Sequence, residues 1–207
     1  MMLPKVEPSQ FRLIFLEDRP LLDVRAEIEF AKGAFPSAVN LPLLNTEERA
    51  AVGTIYKTHG QDAAIALGHQ YLSGDIRTKR IASWKSFAHE NPNGLLYCFR
   101  GGLRSQSVQQ VLASEGVEIK LIEGGYKALR GYLLQTLEEI SQTQNFRVLT
   151  GFTGSRKTKL LNCKNNFVDL ERLAQHRGSS FGHFKFAQPS PIDFENSLAI
   201  SLLKAEE

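Results

Sequence analysis

Up to about residue 142, short apolar runs alternate with stretches of helical periodicity, and this alternation constrains the fold more than any other feature. "PLLDVR" (20–25) reads as a strand entering a turn, and "SAVNLPL" (37–43) as a second short strand. "NTEERAAVGTIYKTHG" and "DAAIALGHQYLSG" read as helices, each closed by a glycine, and "IASWKSFAHE" as another that Pro92 helps to end. "GLLYCF" and "EIKLIEGG" are further strands. "YKALRGYLLQTLEEISQ" then places Leu129, Tyr132, Leu133, Leu137 and Ile140 on one helical face. Strands alternating with helices imply an α/β fold, a parallel sheet with helices on both faces.

Ligands of such sheets gather at the carboxyl ends of strands. There stands "CFRGGLRS" (98–105), between the apolar run "GLLY" and the helical "SQSVQQVLASEG". Its two glycines let the backbone curl with N–H groups turned inward, a nest for an anion. Cys98 leads the loop; Arg100, Gly101, Gly102, Arg104 and Ser105 form its anion-binding part. Arg104, helped by Arg100, would hold a tetrahedral oxyanion over the sulfur. The helix start and the positive field would keep Cys98 partly as thiolate, the nucleophilic form. A buried cysteine in a glycine turn is the plainer alternative; the Gly-Gly pair, the two arginines and the strand-to-helix setting favour chemistry.

Apolar residues make up 42% and charged residues 23%, the proportions of an ordinary globular protein. Two cysteines give no disulfide framework and suit a reducing compartment. The start "MMLPKVEPSQ" has no apolar signal region and no run approaches spanning length, so the expectation is a cytoplasmic chain with no membrane partner. Net charge is only +3, but residues 143–187 hold eight Lys or Arg against Asp169 and Glu171. A local excess of that sign suits RNA or a nucleotide as partner, though on charge alone a solvated face is the better reading.

Three motifs in order resemble the rhodanese-like sulfurtransferases over about residues 10–140: "LLDVRAEIEFAKGAFPSAVNLPL", "YCFRGGLRS" and "LIEGGYKAL". In that family the cysteine carries sulfur as a persulfide, a role that falls to Cys98 by position. With "VGTIYKTHGQDAAIALGH", "GFTGSRKT" and "DLERLAQHRGSSFG", the sequence resembles more narrowly the bacterial tRNA 2-selenouridine synthases, a rhodanese domain joined to a P-loop domain. That resemblance implies a transferase. Such an enzyme replaces the sulfur of wobble 2-thiouridine in tRNA by selenium from selenophosphate, and transfers geranyl from geranyl diphosphate to the same sulfur. It implies tRNA and a selenophosphate-supplying enzyme as partners, and no tightly bound cofactor. The same Cys-x5-Arg spacing also marks phosphatases and arsenate reductases of rhodanese-like fold, the rival reading.

After the polar "SQTQN" the pattern restarts, which places a boundary near 143: a rhodanese-like domain over 1–142 and an incomplete P-loop-type α/β segment over 143–207. "FRVLTG" (146–151) and "NFVDLE" (166–171) read as strands. "GFTGSRKT" nearly fits the phosphate-binding pattern, with Gly151, Gly154, Lys157 and Thr158 as its phosphate-binding residues. Arg156 stands where the pattern has its second glycine, so a side chain crowds or strains the loop. Asp169 is the carboxylate that would stand beside a magnesium ion in such a domain, or a helix cap before "LERLAQH". His176 and Arg177 match the resemblance as tRNA or diphosphate contacts, and Cys163 is an incidental thiol. The short second segment implies a truncated chain of impaired activity, with a non-catalytic remnant as the limiting case.

Overall fold

The computed structural model describes residues 4–152, 155–156, 160, 166–176 and 187–206. The chain divides into two compact units: residues 1–32 with 37–129, and residues 33–36 with 130–207.

The first unit is built on a five-stranded sheet of β1 (Lys5–Val6), β2 (Leu21–Asp23), β3 (Ala38–Asn40), β4 (Leu95–Tyr97) and β5 (Lys120–Ile122). Their order is β1-β5-β4-β2-β3 and every pairing is parallel. The helices are α1 (Phe11–Leu16), α2 (Glu27–Phe30), α3 (Thr46–Tyr71), α4 (Gly74–Glu90), α5 (Leu103–Ser114) and α6 (Gly125–Thr143), the last running past the end of the first unit. The parallel α/β architecture read from the sequence is the one found.

Side-chain alternation sorts the two faces of the central strands. Leu22, Val24, Leu96 and Cys98 share one apolar cluster with Ile81, Trp84 and Phe87 of α4 and Val108 and Leu112 of α5. The buried Trp84 satisfies its indole N–H by donating to Leu41 O at 2.9 Å. The opposite parity, Leu21, Asp23, Leu95 and Tyr97, is equally buried and carries the polar side chains. β4 therefore delivers Cys98 against α4 and α5, and Tyr97 to the other side of the sheet.

The two helices expected over 45–74 are found, run together in α3 and separated at Gly60, whose φ of +84° and ψ of −174° are not helical. Asn45 caps it and accepts the Glu48 N–H at 2.8 Å, while Glu48 returns a bond to Asn45 N at 2.9 Å. Arg80 joins Glu48 at 2.8 Å and ties α4 to that cap.

In the second unit, beyond α6, stand α7 (Leu170–Leu173) and α8 (Pro191–Ala205). Ser190 caps α8, accepting the Asp193 N–H at 3.1 Å, with Pro191 in the first turn. Buried Asn196 donates to Ala34 O at 2.7 Å and accepts from Arg130 at 2.8 Å; Arg130 also pairs with Glu195. Residues 146–151 and 166–169 are not strands. No ladder partner lies beside them among the described residues, Val148 is 82% exposed, and an unpaired strand is not stable in water. Among the described residues, no helix is long and apolar enough to cross a membrane.

Candidate active site

The site begins where β4 ends. Cys98 follows Tyr97 and is 3% exposed. The chain then curls through residues 99–102 and enters α5, whose first turn carries no acidic residue, so the positive end of the helix dipole stands unopposed behind the loop. Ser105 Oγ, fully buried in that first turn, lies 3.1 Å from Cys98 Sγ and 3.1 Å from Gly102 O. Cys98 Sγ is 3.9 Å from the same carbonyl. A protonated sulfur can donate to Gly102 O; a charged one takes the Ser105 hydroxyl as its donor.

The loop is fixed from behind by the start of α6. Tyr126 N–H donates to Cys98 O at 2.9 Å and Lys127 N–H to Phe99 O at 3.0 Å. That approach requires glycine at two positions. A Cβ on Gly125 would stand 2.3 Å from Cys98 O and 2.6 Å from Gly101 N, and one on Gly101 2.9 Å from Ile122 O. Both residues also have left-handed backbone, φ +59° and +66°.

Arg104 is turned to a partner that sequence reasoning missed. Its Nη1 and Nη2 meet Glu29 Oε2 and Oε1 at 2.5 and 3.2 Å. Arg49 approaches the same carboxylate at 3.7 Å, and Ala26 N–H donates to it at 3.1 Å. Burial alone would raise the pKa of Glu29; the hydrogen bond and charge of Arg104, the Ala26 N–H and Arg49 hold it below its usual value. Two donors of Arg104 are thus engaged by Glu29, leaving its other N–H groups for an anion. Arg100 is exposed, its guanidinium carbon 5.9 Å from the Phe99 ring centroid.

Behind the loop sits a buried ion pair. Arg25, 2% exposed, donates to Asp23 from Nε at 2.9 and 3.0 Å and from Nη2 at 2.6 Å. Burial works to lower the pKa of Arg25, and the Asp23 hydrogen bond and charge outweigh it and raise it. Its guanidinium lies 3.8 Å from the centroid of the Tyr126 ring, a close cation–π contact. Burial, and then the charge of Asp23, push the hydroxyl pKa of Tyr97 well above its usual value.

Of the second-segment residues, Gly154, Lys157, Thr158, Cys163 and Arg177 lie outside the described residues. Gly151 and Arg156 are described, and Arg156 has φ +61°, a left-handed backbone at the position where the pattern has glycine. Asp169 is the N-cap of α7, its Oδ1 accepting the Arg172 N–H at 3.0 Å. Among the described residues no three His, Cys, Asp or Glu side chains gather in a group that could hold a metal.

Comparison with known proteins meets this geometry from outside. The rhodanese-like domain matches residues 8–131, and the tRNA 2-selenouridine synthase AAA domain matches residues 144–207. The chain belongs to the tRNA 2-selenouridine synthase family. It is 54% identical over 206 residues to a tRNA 2-selenouridine synthase of Photobacterium profundum, covering 100% of this chain and 56% of the relative. To that of Pseudomonas fluorescens (strain Pf0-1) it is 59% identical over 200 residues, 96% of this chain and 54% of the relative. The chain therefore spans about half the length of the curated relatives it matches. Among solved structures, the N-terminal domain of a protein named for ATP/GTP binding, from Clostridium difficile 630, matches at TM-score 0.55 and 34% identity. That match covers 63% of this chain and 98% of the other.

Proposed function

We propose that this chain serves the exchange of sulfur for selenium in wobble 2-thiouridine of tRNA, with Cys98 as chalcogen carrier and Arg100, Gly101, Gly102, Arg104 and Ser105 as the loop that receives the anionic donor. The observation that carries this reading is the Ser105 hydroxyl 3.1 Å from Cys98 Sγ at the carboxyl end of a parallel strand. A hydroxyl held there is within reach to donate to the sulfur during the reaction. With thiosulfate as the simplest donor, the Cys98 thiolate attacks the outer sulfur, a new S–S bond forms and sulfite leaves, with no outside oxidant. On the RNA side, the 2-thiouridine sulfur attacks C1 of geranyl diphosphate and expels diphosphate. The S-geranyl group is then a leaving group: the selenium of selenophosphate attacks C2, geranyl thiol departs, and water cleaves the P–Se bond to release phosphate. Selenophosphate and geranyl diphosphate are substrates here, and no tightly bound cofactor is called for.

Mass spectrometry of the chain after incubation with thiosulfate tests the carrier role. A covalent adduct on Cys98, absent in Cys98→Ser, is the expected result. Rapid hydrolysis of a phosphate ester with no adduct would instead assign the loop to a Cys-x5-Arg phosphatase.

A further inference from the structure

The proposed chemistry leaves one part of the cysteine loop unused, the aromatic ring directly after the sulfur. Phe99 is 37% exposed while its neighbour Cys98 is buried. Its position is fixed. The ring stacks on Tyr126 with centroids 6.1 Å apart and planes 23° from parallel, and its carbonyl accepts the Lys127 N–H at 3.0 Å. Tyr126 in turn packs against the Arg25 guanidinium at 3.8 Å, which Asp23 anchors. A rigid column thus runs from a buried ion pair, through Tyr126, to an aromatic ring open to solvent. The exposed Arg100 places its guanidinium carbon 5.9 Å from that ring.

An exposed ring backed by buried aromatic and ionic partners, with a guanidinium over it at 5.9 Å from its centroid, has the composition of a nucleobase platform. Every base has a π-face, so stacking on Phe or Tyr is sequence-tolerant, and an adjacent arginine meets the phosphate. Chemistry at a base also requires taking that base out of its stack, and a ring in the same loop as the reacting cysteine can hold it out. We propose that Phe99, supported by Tyr126 and Arg25, is the surface on which an unpaired nucleobase of an RNA loop stacks as it is presented to Cys98, with Arg100 on the adjoining phosphate. This rests on the tRNA reading above and adds the residue that would position the base.

The test uses the whole chain with a hairpin RNA carrying 2-thiouridine at the wobble position of an anticodon loop, and the same hairpin abasic there. Phe99→Trp supplies a reporter, since the native Trp84 is fully buried and gives a constant background. The expected result is quenching of the new indole by the thiouridine hairpin and not by the abasic one. Phe99→Leu should bind the thiouridine hairpin about five- to a hundredfold more weakly, and Phe99→Tyr near the wild-type level. Equal binding by Phe99→Leu with no quenching in Phe99→Trp would overturn the platform while leaving the tRNA reading in place. Failure of the wild type to bind either hairpin would overturn both. Quenching by geranyl diphosphate but not by RNA would show that the ring serves a prenyl chain, and the platform would fall.

Discussion

Arg104 gives two of its donors to Glu29, a residue 75 positions earlier in the chain, on α2. The bond joins the cysteine loop's helix to the turn that follows β2, so the loop's charge and its position are set by the same contact. Glu29 has a depressed pKa, so it contributes stability that is present above the ordinary carboxylate value and lost as pH falls through its own lower value. Glu29→Gln should therefore lower the thermal midpoint at neutral pH. The gap to wild type should close as pH drops below about 4.5. Thermal unfolding of both proteins from neutral pH to about pH 3 reads this directly; a gap that widens on acidification would show that the carboxylate is not the stabilising form.

Gly125→Ala should damage the site and the fold together. The new methyl would sit 2.3 Å from Cys98 O, and φ of +59° is strained for any residue with a Cβ. Strain and overpacking together cost about 2–5 kcal/mol. Gly131→Ala is the control: its Cβ meets nothing within 4 Å, and it lies inside α6, where alanine is favoured by up to about 1 kcal/mol. Chemical denaturation, with Cys98 adduct formation as the second readout, separates the two. Gly125→Ala as stable and as reactive as wild type would remove the α6 clamp from the account.

What the sequence disclosed follows from what is local. Strands, helices and the cysteine loop show themselves through periodicity and glycine placement over a few residues, and the "DVR" segment pointed to the β2 turn that holds Asp23 and Arg25. The Glu29–Arg104 pair and the Phe99–Tyr126 stack have no local signature, because each joins residues far apart in the chain. "NFVDLE" looked like a strand because an apolar run reads the same whether or not a neighbouring strand exists to pair with it. Asp169 could cap or coordinate on sequence grounds, and only the Arg172 N–H at 3.0 Å shows the cap.

Arg156→Gly should strengthen binding of geranyl diphosphate. Arg156 has φ +61°, a conformation that costs an L-residue roughly 1–2 kcal/mol and glycine almost nothing. Relieving that strain would favour this backbone conformation by about five- to thirtyfold. Loss of the arginine charge offsets part of the gain, so a rise of only a few fold is expected, reduced further at high salt. Isothermal titration of geranyl diphosphate into both proteins is the measurement. A several-fold weakening in the glycine variant would show that Arg156 binds the diphosphate rather than hindering it.

A chain of residues 1–142 should fold by itself, at lower stability than the whole. It keeps all five strands, the cysteine loop and α6 up to its last residue. It loses the partners that α8 supplies to residues 34 and 130. Ala34 N–H would no longer donate to Asp193 at 2.7 Å, Ala34 O would no longer accept from Asn196, and Arg130 would lose Asn196 and Glu195. A typical hydrogen bond is worth about 0.5–1.5 kcal/mol net, and exposure to water replaces part of what is lost, so a deficit of about 1–4 kcal/mol is expected. Asn196→Ala in the whole chain isolates one piece of this: it removes a buried amide that serves Ala34 and Arg130 at once, and should cost about 1–3 kcal/mol. A single cooperative thermal transition for residues 1–142, with Cys98 still able to form its adduct, is the expected outcome. A broad, dye-binding transition would place the folding boundary elsewhere and make the 143–207 segment part of the same cooperative unit.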